Sequence, residues 1–242
     1  MLINGLGWSA WSDDLYHEIL SQRETGSVIA LLEREVNRLG FEYYACAIRH
    51  VIPFTRPPTE ILGSYPADWI NHYREQQYAA VDPVFLNGLH SRKMVVWDDK
   101  LFNTCRNLWG EAREHRLRIG ATFPLRTSNH ALSVLSVARE HETITASEID
   151  RISAYLHCLI EGVMQRLHEL QHPMLTSLQI RISQREREIL QWTADGKSSG
   201  ETALILGISI NTVNFHLKAI QKKFGAPNKT LLVAYAAVLG MI

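Results

Sequence analysis

Residues 183–224 read SQREREILQWTADGKSSGETALILGISINTVNFHLKAIQKKF. Their punctuation is that of three short helices. Ser183 with Glu186, and Ser198 with Glu201, are capping boxes, in which hydroxyl and carboxylate each satisfy a free amide of the first turn. Ile189, Leu190 and Trp192 give the first helix an apolar face, and Gly196 stops it. Ala203, Leu204, Ile205 and Leu206 fill the second, which ends at Gly207. Ser209 caps a third helix from Ile210 to Phe224, and Asn228 a fourth through Leu239. Two helices joined by about four residues containing a glycine predict a helix-turn-helix.

The third helix carries the chemistry. At 100° per residue, Ile210, Val213, Leu217, Ile220 and Phe224 form one apolar stripe, read as the core face. The other side presents Asn211, Asn214, Phe215, Lys218 and Lys222, with Thr212 beside them. Lysines reach phosphates or guanine edges, asparagine pairs with adenine, and an apolar ring meets a thymine methyl, so this face suits a major groove. Taken alone it is more often a solvated helix face. The surrounding helices and an exposed Phe215 favour DNA. His216, at the edge of the stripe, reads as a packing residue.

Charge first speaks against nucleic acid. Lys+Arg number 25 and Asp+Glu 25 across 242 residues, where a binder ordinarily shows a basic excess. The balance is uneven. From Thr176 onward eight basic residues face four acids; the rest holds 17 against 21. A +4 piece and a −4 piece suggest two jobs.

The boundary falls where the charge changes. Thr145 with Glu148 opens a long helix through residue 171, with Ile149, Ile152, Leu156, Ile160, Val163, Leu167 and Leu170 at three- and four-residue steps. His172-Pro173 ends it. The expected organisation is a sensor and dimerisation domain over 1–172, a linker over 173–182 and a DNA-binding domain over 183–242. With 46% apolar residues, no apolar run of about 18 residues and no signal peptide, the reading is a globular cytoplasmic protein without a membrane partner. Cys46, Cys105 and Cys158 are too scattered for a disulfide framework or a zinc pair.

The first domain reads as mixed α and β. An amphipathic helix runs from Thr25 to Leu39, closed by Gly40. A strand follows over Glu42–Ile52, then a loop over Pro53–Pro58. Pro66 is placed at the first position of a helix reaching about Gln76. Segments 118–127 and 131–139 form a hairpin about Thr-Ser-Asn-His, giving an antiparallel sheet flanked by helices. Tyr65, Trp69 and Tyr73 are four apart and read as one helical face. Three such aromatics, with Trp97 and Trp109, are more often core than ligand box. Asp82 before Pro83 is ordinarily a turn residue. Together they offer an apolar wall with a few placed polar groups, as a pocket for a small amphiphile needs.

The chain resembles the LuxR family of transcription regulators. The segment from Leu190 to Ile242, with QWTADGKSSGE and NTVNFHLKAIQKKF, resembles the family's helix-turn-helix, and the family's Glu, Leu and Gly fall at Glu186, Leu190 and Gly196. GFEYYACAIRH, IPFTRPPTE, YPADW, DPVFLNGL, GATFPLR and LSVLSVARE resemble its acyl-homoserine-lactone-binding domain. The resemblance implies an α+β chain: an α/β/α sandwich that binds ligand, then an all-α tetrahelical helix-turn-helix domain. It implies that Tyr65 and Trp69 hold the ligand head, Trp69 donating to the lactone carbonyl. Asp82 accepts from the ligand amide, and Ser136 donates with the tyrosine to the acyl carbonyl. Tyr73, Val84, Trp97, Phe102 and Trp109 line the rest. Other members carry threonine at the place of Val84. The bulk of Trp109 points to a short acyl chain, and the resemblance to N-butanoyl-homoserine lactone. It further implies a homodimer joined through the long helix, reading inverted-repeat double-stranded promoter DNA. An activator also meets RNA polymerase, and a metallo-β-lactamase-fold partner, PqsE, enters by resemblance.

Other classes fit less well. No nucleophile elbow, metal cluster or phosphate loop is present, so neither an enzyme nor a cofactor is expected. A receiver-domain regulator would show an alternating parallel αβ pattern. An orphan sensor for another small molecule, or a ligand-independent repressor, stays open.

Overall fold

The computed structural model describes residues 8–127, 131–176 and 180–242. It divides into two compact units, Met1–His50 with Pro58–Ser177 and Val51–Pro57 with Leu178–Ile242. The loop Val51–Pro57, expected in the first domain, groups with the second because Ile52 is buried among that unit's apolar side chains.

The first unit is a three-layer sandwich. Its five-stranded antiparallel sheet has the order β2-β1-β5-β4-β3, formed by β1 (Tyr43–Arg49), β2 (Thr59–Gly63), β3 (Val95–Val96), β4 (Ile119–Arg126) and β5 (Leu132–Arg139). Alternate residues face opposite layers. Cys46, Ile48, Leu135 and Val137 meet α1 (Trp8–Ser21), α2 (Thr25–Arg38) and α6 (Ala146–Glu169). Ala47, Val134 and Ala138 meet α3 (Ala67–Glu75), α4 (Pro83–His90) and α5 (Arg106–Glu114). With both faces covered, β5 is buried along its whole length.

Local outcomes refine the sequence reading. The Thr145/Glu148 box opens α6. Its apolar stripe is spent inside the fold, against α1, α2 and the sheet. Pro66 lies one place earlier than expected: its backbone is extended, so it is the cap of α3, and Tyr65 precedes the helix. The hairpin is present as β4 and β5, with Thr127 N–H donating to Ala131 O at 3.0 Å; its tip, residues 128–130, lies outside the described residues. The expected linker begins with a helical turn, α7 (Pro173–Thr176), because Met174 and Leu175 are buried in the first unit's core. Residues 177–179 of that stretch lie outside the described residues. Among the described residues no single helix is long and apolar enough to cross a membrane.

The second unit holds α8 (Gln184–Ala194), α9 (Ser199–Leu206), α10 (Ile210–Phe224) and α11 (Lys229–Val238). Both capping boxes form, and Ser209 and Asn228 cap α10 and α11. Gly207 sits at φ 63°, a left-handed conformation that a side chain would strain. There α9 and α10 turn by 111°. Ile210 departs from the expected core stripe. At the first position of α10 it stands over Gly200 of α9 and is 52% exposed.

Candidate ligand cavity and nucleic-acid interface

A cavity of about 60 Å³ lies between the sheet and the layer of α3, α4 and α5. All nine residues expected around a ligand line it. Trp69 and Tyr73 come from one face of α3, Tyr65 from just before it, and Asp82 and Val84 from the start of α4. Trp97, Phe102 and Trp109 close one end, where Phe102 and Trp109 stack at 4.6 Å between ring centroids. Trp97 rests on the sheet at Gly120, where a Cβ would come within 2.5 Å of its ring. Ser136 enters from the central strand β5. Ala45, Ala47 and Ile61, from β1 and β2, form the opposite, aliphatic end.

Few polar groups face this space, and their hydrogen bonds define what each can offer. Asp82 caps α4: its Oδ1 accepts from Val84 N–H and its Oδ2 from the Tyr73 hydroxyl, both at 2.8 Å. It is therefore both the helix cap of the bland reading and an anion in the cavity wall. Burial pushes its carboxyl up to about 6, against the pull of Tyr73, Val84 N–H and Arg49. The Tyr65 hydroxyl is buried and lacks a hydrogen-bond partner. Burial raises its phenol far above the ordinary value; Ser136 is near enough to offset this slightly, without full hydrogen-bond geometry. Trp109 is spoken for, donating to Asp99 at 2.7 Å.

One polar residue was missed by sequence reasoning. Thr122 of β4 is buried, sits opposite Ser136, accepts from Trp97 Nε1 at 2.9 Å and shares a hydrogen bond with Ser136 Oγ at 2.8 Å. Its only sequence signal is a hydroxyl within an apolar strand segment. A second missed feature is on the outer side. Glu111 of α5 accepts from Tyr78 Oη at 2.6 Å and lies 2.8 Å from His72 Nε2. It fastens α5 to α3 and to the turn that leads to Asp82.

In the second unit, α10 presents the expected face. Asn211, Phe215, Lys218 and Lys222 are exposed, and Asn214 is half-buried. Phe215 is 69% exposed, as a groove-contacting ring requires and a core ring does not. Thr212 is half-buried, its N–H and hydroxyl both engaged with Ser209 at the helix cap. Lys223 is diverted from the face by an ion pair with Glu186 at 2.7 Å. Leu204, expected as helix filling, is 85% exposed.

Comparison with known proteins now bears on both units. Residues 24–167 match the autoinducer binding domain, and residues 181–236 match the bacterial regulatory proteins of the luxR family. The chain is 56% identical over 239 residues, 99% of both chains, to the HTH-type quorum-sensing regulator RhlR of Pseudomonas aeruginosa. It belongs to the LuxR family of quorum-sensing transcription regulators.

Structural likeness spans both domains of this LuxR regulator. The crystal structure of Escherichia coli SdiA matches with a TM-score of 0.89 at 36% identity, covering 98% of this chain and 99% of that one. SdiA in complex with octanoyl-rac-glycerol matches with a TM-score of 0.88 at 36% identity, covering 98% and 97%. The LuxR chain is thus a mixed α+β regulator with a luxR-type helix-turn-helix domain, and its relatives are regulators rather than enzymes.

Proposed function

We propose that the cavity takes an N-acyl-homoserine lactone, with N-butanoyl-homoserine lactone as the first ligand to test, and that occupancy governs promoter binding. The observation that carries this reading is the set of polar groups in one apolar space: Trp69 with its indole N–H, the Asp82 carboxylate, and the Tyr65 and Ser136 hydroxyls all belong to its lining, and the Tyr65 hydroxyl lacks a partner. A lactone carbonyl, an amide N–H and an acyl carbonyl are the three groups that such a set would pair. Each buried polar group left unpaired costs about 1–3 kcal/mol, so a ligand lacking one of the three is penalised.

The proposal extends to a homodimer reading inverted-repeat promoter DNA in the cytoplasm, with Asn211, Thr212, Asn214, Phe215, Lys218 and Lys222 at the groove. Two-fold pairing would place two α10 helices about one helical turn apart. An activator contacts RNA polymerase in addition, and co-purification with PqsE tests the protein partner.

The experiment is to express the full chain with and without N-butanoyl-homoserine lactone, identify bound small molecules by mass spectrometry, and measure operator binding. Asp82→Asn and Trp69→Phe should lose the lactone response while the second unit still binds DNA. A response retained in both variants would sink the assignment. A second reading has one observation behind it, the octanoyl-rac-glycerol bound by SdiA. An acylglycerol has hydroxyls but no amide, so recovery of such a molecule would favour it.

A further inference from the structure

Outside the cavity, one carboxylate ties together the helices that wall it. Glu111 of α5 lines none of the enclosed space, and its side chain is 35% exposed. Its Oε2 accepts from the Tyr78 hydroxyl at 2.6 Å and lies 2.8 Å from His72 Nε2. A carboxylate only accepts, so His72 carries its proton on Nε2. Each of these partners touches a residue read above as holding the ligand. Tyr78 packs edge-on against Tyr73, whose hydroxyl donates to Asp82, and Tyr78 O accepts from the Asp82 N–H at 2.8 Å. The His72 and Tyr78 rings lie 6.2 and 6.3 Å from that of Trp69. Resting on the lactone reading above, we propose that Glu111 is a positioning residue for ligand retention: acting through His72 and Tyr78, it holds Trp69 and Asp82 in place from outside the cavity and so sets how slowly a bound lactone leaves.

The wall needs such a tie. Trp69 and Tyr73 are 3% and 6% exposed, so a ligand behind them leaves only when that wall moves. The segment between α3 and α4 supplies little rigidity of its own. Gln77 adopts a left-handed φ of 54°, and a single helical turn, Tyr78–Ala80, follows. Side chains from other elements secure it. Arg49 donates to Ala79 O at 3.0 Å and Cys105 Sγ to Val81 O at 3.1 Å. Those two grip the backbone, whereas Glu111 grips the Tyr78 side chain and, through it, the aromatic wall. The grip is ionic. The Tyr78 hydroxyl foremost, then His72 and His115, hold the Glu111 carboxyl below the usual range against the opposing effect of burial. Hydrogen bonds to an anion are about twice as strong as neutral ones. His115, four residues after Glu111, adds a contact from the same side of α5, its ring 5.4 Å from that of Trp69. Affinity gained by fixing the binding groups beforehand is expressed mainly in the dissociation rate.

The test loads the full chain with deuterated N-butanoyl-homoserine lactone and follows its release into excess unlabelled lactone. Glu111→Ala should release it about tenfold faster, the size expected of two charge-assisted bonds at a partly exposed site. Tyr78→Phe keeps the ring, removes one of the two bonds and should release it about threefold faster. Association should not slow in either variant. Hydrogen exchange of the loaded proteins separates positioning from general destabilisation. The Val81 and Asp82 amides, both bonded to Tyr78 O, should exchange faster in the variants, while those of β5 keep their wild-type rates. Release at the wild-type rate in both variants, or faster exchange that extends equally to β5, would overturn the proposal. A wild-type chain that binds no lactone overturns the reading on which it rests.

Discussion

Asp82 shows how one side chain serves both the empty and the filled cavity. Its carboxyl stands near 6 in the fold against an ordinary 3.8. The folded state thus holds the proton more tightly than the unfolded chain between those values. Ligand-free stability falls as pH rises through that window, and the full cost, about 2–3 kcal/mol for two pH units, is present above it. Asp82→Asn should therefore raise the melting temperature of the ligand-free protein at about pH 8 and raise it only about half as much at about pH 5. Calorimetry at both values checks this, and equal shifts would contradict it. Thr122 makes a second residue-level case. Thr122→Val removes the partner of both Trp97 Nε1 and Ser136. It should cost about 1–3 kcal/mol in urea unfolding. It should also weaken lactone binding, because Ser136 is no longer oriented.

Elements differ in how far their own sequence dictates them. The helices α8, α9 and α10 were legible because caps, glycine stops and a 3.6-residue period are local signals. The edge strands β2 and β3, five and two residues long, were not legible. Their residues pair only with distant partners. Asp82 and Trp69 could be singled out from spacing and resemblance, whereas Thr122 acquires its role from a register with Ser136 that no local pattern reveals. The same limit explains Ile210, whose apolar side chain fits the helical stripe but faces Gly200 at the helix end. Two predictions belong at this scale. Glu186 joins α8 to α10 through Lys223. Burial alone would raise its carboxyl, but the Lys223 ammonium and the Ser183 N–H hold it below the usual range. This stabilisation is present above the unfolded value and is lost as pH falls through the folded one. With Lys223 half in solvent, Glu186→Ala should cost about 1–2 kcal/mol in unfolding of the second unit. Lys218→Ala should reduce the slope of operator affinity against salt by about one, the release of roughly one counterion. An unchanged slope removes Lys218 from the phosphate contacts.

At the scale of the molecule, zero net charge is the sum of an acidic sensor and a basic reader. Two copies would double the basic field presented to DNA. The cavity lies inside the first unit's second apolar cluster, so a bound ligand adds to the folded state alone. At a hundredfold excess over its dissociation constant it should contribute about 2.7 kcal/mol, read as a thermal shift of the full chain. The central position of β5 has a consequence of its own. With hydrogen-bonded neighbours on both sides and burial along its length, that strand is the least compliant wall of the binding chamber. The facing wall is made of short helices joined by turns and latched at Glu111. Hydrogen exchange should find β5 amides among the slowest and those of α3 and the Tyr78–Ala80 turn much faster. Divergence in ligand preference among descendants of such a scaffold would then accumulate on the pliant side, while the rigid strand keeps its hydroxyl in place as a fixed reference for whatever carbonyl arrives.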